Sequence, residues 1–140
     1  MQRQMHRAVL TERRETIAMY ETIERLTLIS ISRGVGFAAL GVLCLMVGFA
    51  ADFVNVLKAG GIGSLLITIV LYFKAQNTSP ASYKRTEVWI MLNPDERPPE
   101  DVAPRMVAEA RRSILLRWTE RSAWISAALL TGAVAAMILR

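Results

Sequence analysis

Residues 34–51 read GVGFAALGVLCLMVGFAA, eighteen positions without a charge between Arg33 and Asp52. At about 1.5 Å of rise per residue this run covers roughly 27 Å as a helix, close to the hydrocarbon thickness of about 30 Å that a membrane span must cross. A second uncharged run of eighteen, Ser122 to Leu139, lies between Arg121 and Arg140, and one of fifteen, Ala59 to Phe73, lies between Lys58 and Lys74. The middle run is short by itself. It reaches full length if the helix starts near Phe53 and continues to about Gln76, with Lys58 and Lys74 carrying their ammonium groups to the two interfaces on apolar stems. The rival geometry is a re-entrant segment bent at Gly60 and Gly61, whose non-helical backbone would need protein or water around it.

Composition supports a membrane class. The 140 residues are 53% hydrophobic with a mean hydropathy of +0.32, more apolar surface than a soluble unit of this length usually carries. The expected fold is therefore all-α: a polytopic membrane protein with three transmembrane helices and a small cytoplasmic helical bundle. Its expected segments are an amphipathic cytoplasmic arm at 1–33 and a transmembrane hairpin at 34–76, divided at about 34–52 and 53–76. A cytoplasmic connection and helical stem at 77–120 and a third span at 121–140 complete it. The charged arm does not resemble a secretory leader, so span one is expected to be an uncleaved anchor.

Basic residues give an orientation. The arm holds six and the 74–121 segment holds nine, whereas the first connection holds only Lys58 and the tail only Arg140. With the arm and the long connection inside, fifteen basic residues face the cytoplasm and two face out, so the N-terminus is expected inside and the C-terminus outside. Tyr72 and Phe73 at one cytoplasmic boundary, with Trp118 and Trp124 around the other, fit an aromatic belt. Arg33, Trp118, Arg121 and Trp124 are thus candidate interface and lipid residues. Arg33 is expected either to snorkel to a lipid phosphate or to meet a carboxylate on a neighbouring subunit. Arg outnumbers Lys by 14 to 3, and Ala and Gly are plentiful, which points to a bacterial source and an inner membrane.

The arm has neither Gly nor Pro from Thr11 to Arg33, so its helix is expected to run into span one. Val9, Thr16, Tyr20, Ile23 and Thr27 share a face. After span two, Asn77-Thr78-Ser79-Pro80 breaks the helix, and a short element from about Ala81 to Leu92 follows. Its apolar run Val88, Trp89, Ile90, Met91 and Leu92 either packs on the arm and the helix-three stem, lies on the bilayer, or docks another protein. The loop from Asn93 to Asp101 carries four acids among its prolines. It reads as a solvated turn, because the spacing fits no metal-binding loop. Asp101 is placed to cap the last helix, whose stem presents Met106, Ala110, Ile114 and Trp118 on one face.

Inside the spans, small residues recur at helical spacing: Gly34, Ala38, Gly41 and Gly48 in span one; Gly60, Ser64 and Thr68 in span two; Ala128, Gly132 and Ala136 in span three. In lipid, helices associate through close packing and hydrogen bonds, so these positions are candidate helix-packing residues, within the chain or toward another subunit. Cys44, mid-span, reads as a small packing residue.

The chemistry signatures are sparse. GxxxxGK[ST], HExxH and paired CxxC do not occur, and the spans carry no internal Asp, Glu or His. No catalytic residue, cofactor or metal site is expected. Basic charge follows topology and suits anionic headgroups, not nucleic acid. The expected role is non-enzymatic: an accessory, assembly or scaffold subunit of a larger membrane complex, with the bilayer and another membrane protein or a second copy as partners. The alternative is a small homo-oligomeric channel or transporter component, in which Gly60, Ser64, Thr68, Ser126 and Thr131 line a weakly polar path. An enzyme using the acids between Asp95 and Asp101 is the least motivated class.

Overall fold

The structure is a computed structural model that describes residues 1–80, 84 and 87–140; the side chains of residues 87, 88 and 96 lie outside the description. Among the described residues all regular structure is helical. Helix α1 runs Gln2–Gly48, α2 Phe53–Gln76, α3 Glu87–Met91 and α4 Ala103–Ile138, with a 3₁₀ turn at Pro94–Glu96. Three of them, α1, α2 and α4, are long and apolar enough to cross a membrane. The first part of the element expected at 81–92 falls outside the described residues, and α3 is its described remainder.

Two compact units divide the chain. The first comprises residues 1–30 and 78–112. Its core is Ile23, Leu92, Ala103, Met106, Val107 and Ala110, with Met19, Tyr20, Leu26 and Trp89 packed against it. The α4 residues in this core recur at intervals of three and four, the period of one helical face. Thr27, one turn after Ile23, is also buried, and its hydroxyl is satisfied by donating to the Ile23 carbonyl of its own helix at 2.7 Å. From Met1 to Ala18 every residue of this unit is exposed, so the arm is helical without a core of its own until Met19. The stem begins behind a turn in which the Val102 and Ala103 amides donate to the Pro99 carbonyl. Helix entry is thus set by the proline turn two residues before Asp101.

The second unit comprises residues 31–77 and 113–140 and holds the three apolar helical segments. Span two is a continuous helix through Gly60 and Gly61, so the bend of a re-entrant segment is absent. Its N-cap is Asp52, whose carboxylate accepts from the Val54 amide at 3.0 Å and from the Asn55 side chain at 3.2 Å. The tight turn therefore occupies 49–52, and residues 53–58 already belong to α2, as the expected start near Phe53 requires. The far end of α2 closes with the Asn77 amide donating to the Phe73 carbonyl. At one end of this unit Leu71, Ala75 and Leu115 are buried together, with Ile31, Val35, Ile67 and Trp118 packed around them.

Candidate functional site

The close contacts between helices in the second unit are made by glycines against large side chains. A Cβ built on Gly63 would lie 2.6 Å from Val42 Cγ2, and one on Gly60 would lie 2.8 Å from Met46 Sδ and 3.1 Å from Leu129 Cδ1. One on Gly61 would lie 2.6 Å from Leu130 Cδ2 and 3.3 Å from the Leu130 backbone nitrogen. The missing side chains of α2 are the space into which α1 and α4 insert theirs, and van der Waals contact of this kind is what holds helices together when no water is excluded.

Hydrogen bonds add direction. Ser126 is buried and donates to the Gly61 carbonyl at 2.9 Å. One turn away, Ser122 Oγ lies 3.0 Å from the Ser64 carbonyl and 2.7 Å from Thr68 Oγ1, which itself lies 2.8 Å from the Ser64 carbonyl. The hydroxyls of Thr68, Ser122 and Ser126 thus bond across the α2–α4 contact. Ser64 is buried and Thr68 half-buried in the same contact, whereas Thr131 is exposed on the far side of α4.

Span one behaves differently. Its half-buried residues are Val35, Ala39, Val42 and Met46, at steps of four, three and four. Gly34, Ala38, Gly41 and Gly48 lie on a neighbouring face and are exposed, and a Cβ on Gly34, Gly41 or Gly48 would meet nothing within 4 Å. Cys44 is also exposed and so turns away from the chain's own helices. In α4 the small residues divide: Ala128 is exposed, while Gly132 and Ala136 are half-buried, with Leu57 Cδ1 at an ordinary 3.8 Å from the Cβ position of Gly132.

In the first unit the apolar run also divides. Leu92 is 2% exposed and Trp89 packs on the core, while Ile90 is 71% exposed and Met91 lies at the margin; the Val88 side chain lies outside the described residues. The acidic loop does not converge on a site. Arg97 stands 5.2 Å from the centre of the Trp89 ring, and Glu100 lies 3.5 Å from Lys84. Among the described residues no group of three His, Cys, Asp or Glu side chains is placed to hold a metal ion.

Comparison with protein-family models, with curated proteins and with solved structures found no match.

The remaining expected positions lie at the ends of the spans. Arg33 and Arg121 are exposed, Trp118 is half-buried, and Arg121 stands 5.7 Å from the centre of the Trp118 ring. Trp124 is 72% exposed. Sequence reasoning missed Gly61, Gly63 and Ser122, and with them the bulky partners Val42, Met46, Leu129 and Leu130. A signal for part of this is in the chain. Gly61, Ser64 and Thr68 follow three–four spacing, as do Ser122, Ser126 and Leu129, so each marks a seam.

Proposed function

We propose that this chain is a non-enzymatic integral membrane protein that serves as an accessory or scaffold subunit, and that the outer face of span one is where a further transmembrane helix docks. One observation carries the reading. The glycines of α2 are accounted for by side chains that fill the space above them, and the glycines at 34, 41 and 48 have no such neighbour. A glycine inside a helix costs up to about 1 kcal/mol relative to alanine. At Gly34 and Gly41 that cost has a return only if another backbone approaches, and Ala38 between them leaves the same face open to it. The arm and the 77–120 connection lie on the cytoplasmic side and Arg140 outside, an orientation supported by the fifteen-to-two division of basic residues.

The test is extraction in a mild detergent followed by size analysis and identification of co-purifying chains. A discrete complex that is lost in Gly34→Leu or Gly41→Leu, while the variant chain keeps its thermal stability, is the expected result. Recovery of the unaltered chain only as a monomer overturns the proposal. A homogeneous complex of this chain alone would make the occupant a second copy and favour the homo-oligomeric alternative.

A further inference from the structure

The unit formed by residues 31–77 and 113–140 carries its charge unequally. Ile31, Val35, Leu71, Ala75, Leu115 and Trp118 meet in one cluster, which places these parts of the three helices at one level. Arg33 lies between Ile31 and Val35, Lys74 precedes Ala75, and Arg117 precedes Trp118, so each helix brings a cation to that level; Arg121 follows one turn later. All four are exposed, and residues 31–77 and 113–140 hold two acids, Glu120 near these cations and Asp52 at the other end. At the other end the charges are Lys58, Asp52 and Arg140, and Asp52 Oδ1 lies 3.6 Å from Arg140 Nη1. One end of the unit is therefore a cationic collar, and the other is close to neutral.

The collar has the chemistry of a phosphodiester site at a membrane surface. Guanidinium forks take two phosphate oxygens at once, and lysine supplies a mobile point charge. Trp118, beside Arg121, is the residue type that settles at headgroup level. We propose that this end of the unit binds anionic phospholipid headgroups, with Arg33, Lys74, Arg117 and Arg121 as the phosphate-binding cations. The proposal rests on the reading that the helices cross a bilayer and is independent of any subunit role.

Its test uses the full chain reconstituted into vesicles of phosphatidylcholine alone, or of phosphatidylcholine and phosphatidylglycerol in equal parts. After gentle release the retained lipids are counted by native mass spectrometry. Phosphatidylglycerol should be retained in excess over phosphatidylcholine. Arg117→Gln or Arg121→Gln should each lower that excess about fivefold, the effect of one basic residue at an anionic surface. Lys58→Gln should leave it unchanged, and inorganic phosphate added to the released protein should not displace the lipid. Equal retention of the two lipids by an inserted chain overturns the proposal alone, as does displacement by phosphate, which would make the ligand a soluble anion. A chain that fails to insert in either vesicle overturns the membrane reading instead.

Discussion

Ser126 gives its hydroxyl proton to the backbone carbonyl of Gly61, 2.9 Å away, from a position that is 3% exposed. The two halves of this contact depend on each other. A carbonyl in a helix keeps a second lone pair after its own helical bond, but a side chain above it usually screens that pair from a neighbouring helix. Gly61 has no side chain, so α4 comes close enough both for Leu130 to fill the gap and for Ser126 to reach the oxygen. Buried at this contact, the serine takes the neighbouring backbone as its partner.

Ser126→Ala removes one interhelical hydrogen bond and a single heavy atom. Such bonds between membrane helices are worth about 0.6 kcal/mol on average and rarely more than about 1.7 kcal/mol. A loss in this range, read from reversible unfolding in mixed micelles, is expected, and Ser126→Val should cost more because it adds volume against Gly61.

Alanine at the span glycines separates the two classes. Gly61→Ala and Gly63→Ala push a methyl group to 2.6 Å from Leu130 and Val42 and should destabilise the isolated chain by about 1–3 kcal/mol. Gly60→Ala should cost less, because its nearest neighbour is the flexible thioether of Met46. Gly34→Ala and Gly41→Ala meet open space and should leave the stability of the isolated chain unchanged or slightly raised. Thermal unfolding of the five purified variants gives the order directly.

The first unit is held by a small core, so Ile23→Ala, at a site with no exposed surface, should cost about 2–5 kcal/mol, whereas Met5→Ala, on the exposed arm, should cost nothing measurable. The same contrast governs proteolysis. Helical turns without tertiary packing fray, so trypsin should cut at Arg7, Arg13 and Arg14 well before it cuts at Arg25, which lies between the core residues Ile23 and Leu26. Mass spectra of timed digests report the order of cleavage.

Asp52 has two roles of unequal weight. Asp52→Ala removes the N-cap of α2 and should cost about 1 kcal/mol, and Asp52→Asn should restore most of it, since asparagine caps equally well. Arg140→Gln removes only an exposed pair at 3.6 Å and should change stability by no more than a few tenths of a kcal/mol. Unfolding midpoints of the three variants separate cap from ion pair.

The three helices long and apolar enough to cross a membrane were legible in the sequence because each holds an uncharged run bracketed by charges. Arg33, Lys74 and Arg121 bracket the apolar runs, Asp52 marks the turn, and α2 begins and ends where Phe53 and Gln76 suggested. The unbroken arm was legible for the same kind of reason, the absence of any Gly or Pro before Arg33. Which face of each span meets a neighbour was not. A glycine stripe marks where a backbone is approachable, but whether something approaches depends on a bulky residue elsewhere. Gly63 meets Val42 and Gly60 meets Met46, pairs that lie in different helices and share no local pattern. The apolar run at Val88–Leu92 was ambiguous because five residues make little more than one helical turn. Only the surrounding core decides that Leu92 turns in and Ile90 turns out.

In the proposed topology the chain crosses the bilayer three times, with the 49–52 turn and the acidic loop on opposite sides. Single cysteines at Ala51 and Arg97, in a Cys44→Ser background, can be challenged in intact cells with a membrane-impermeant maleimide. Ala51→Cys should be labelled from outside, and Arg97→Cys only after the membrane is opened. Labelling of both positions from the same side would contradict that topology.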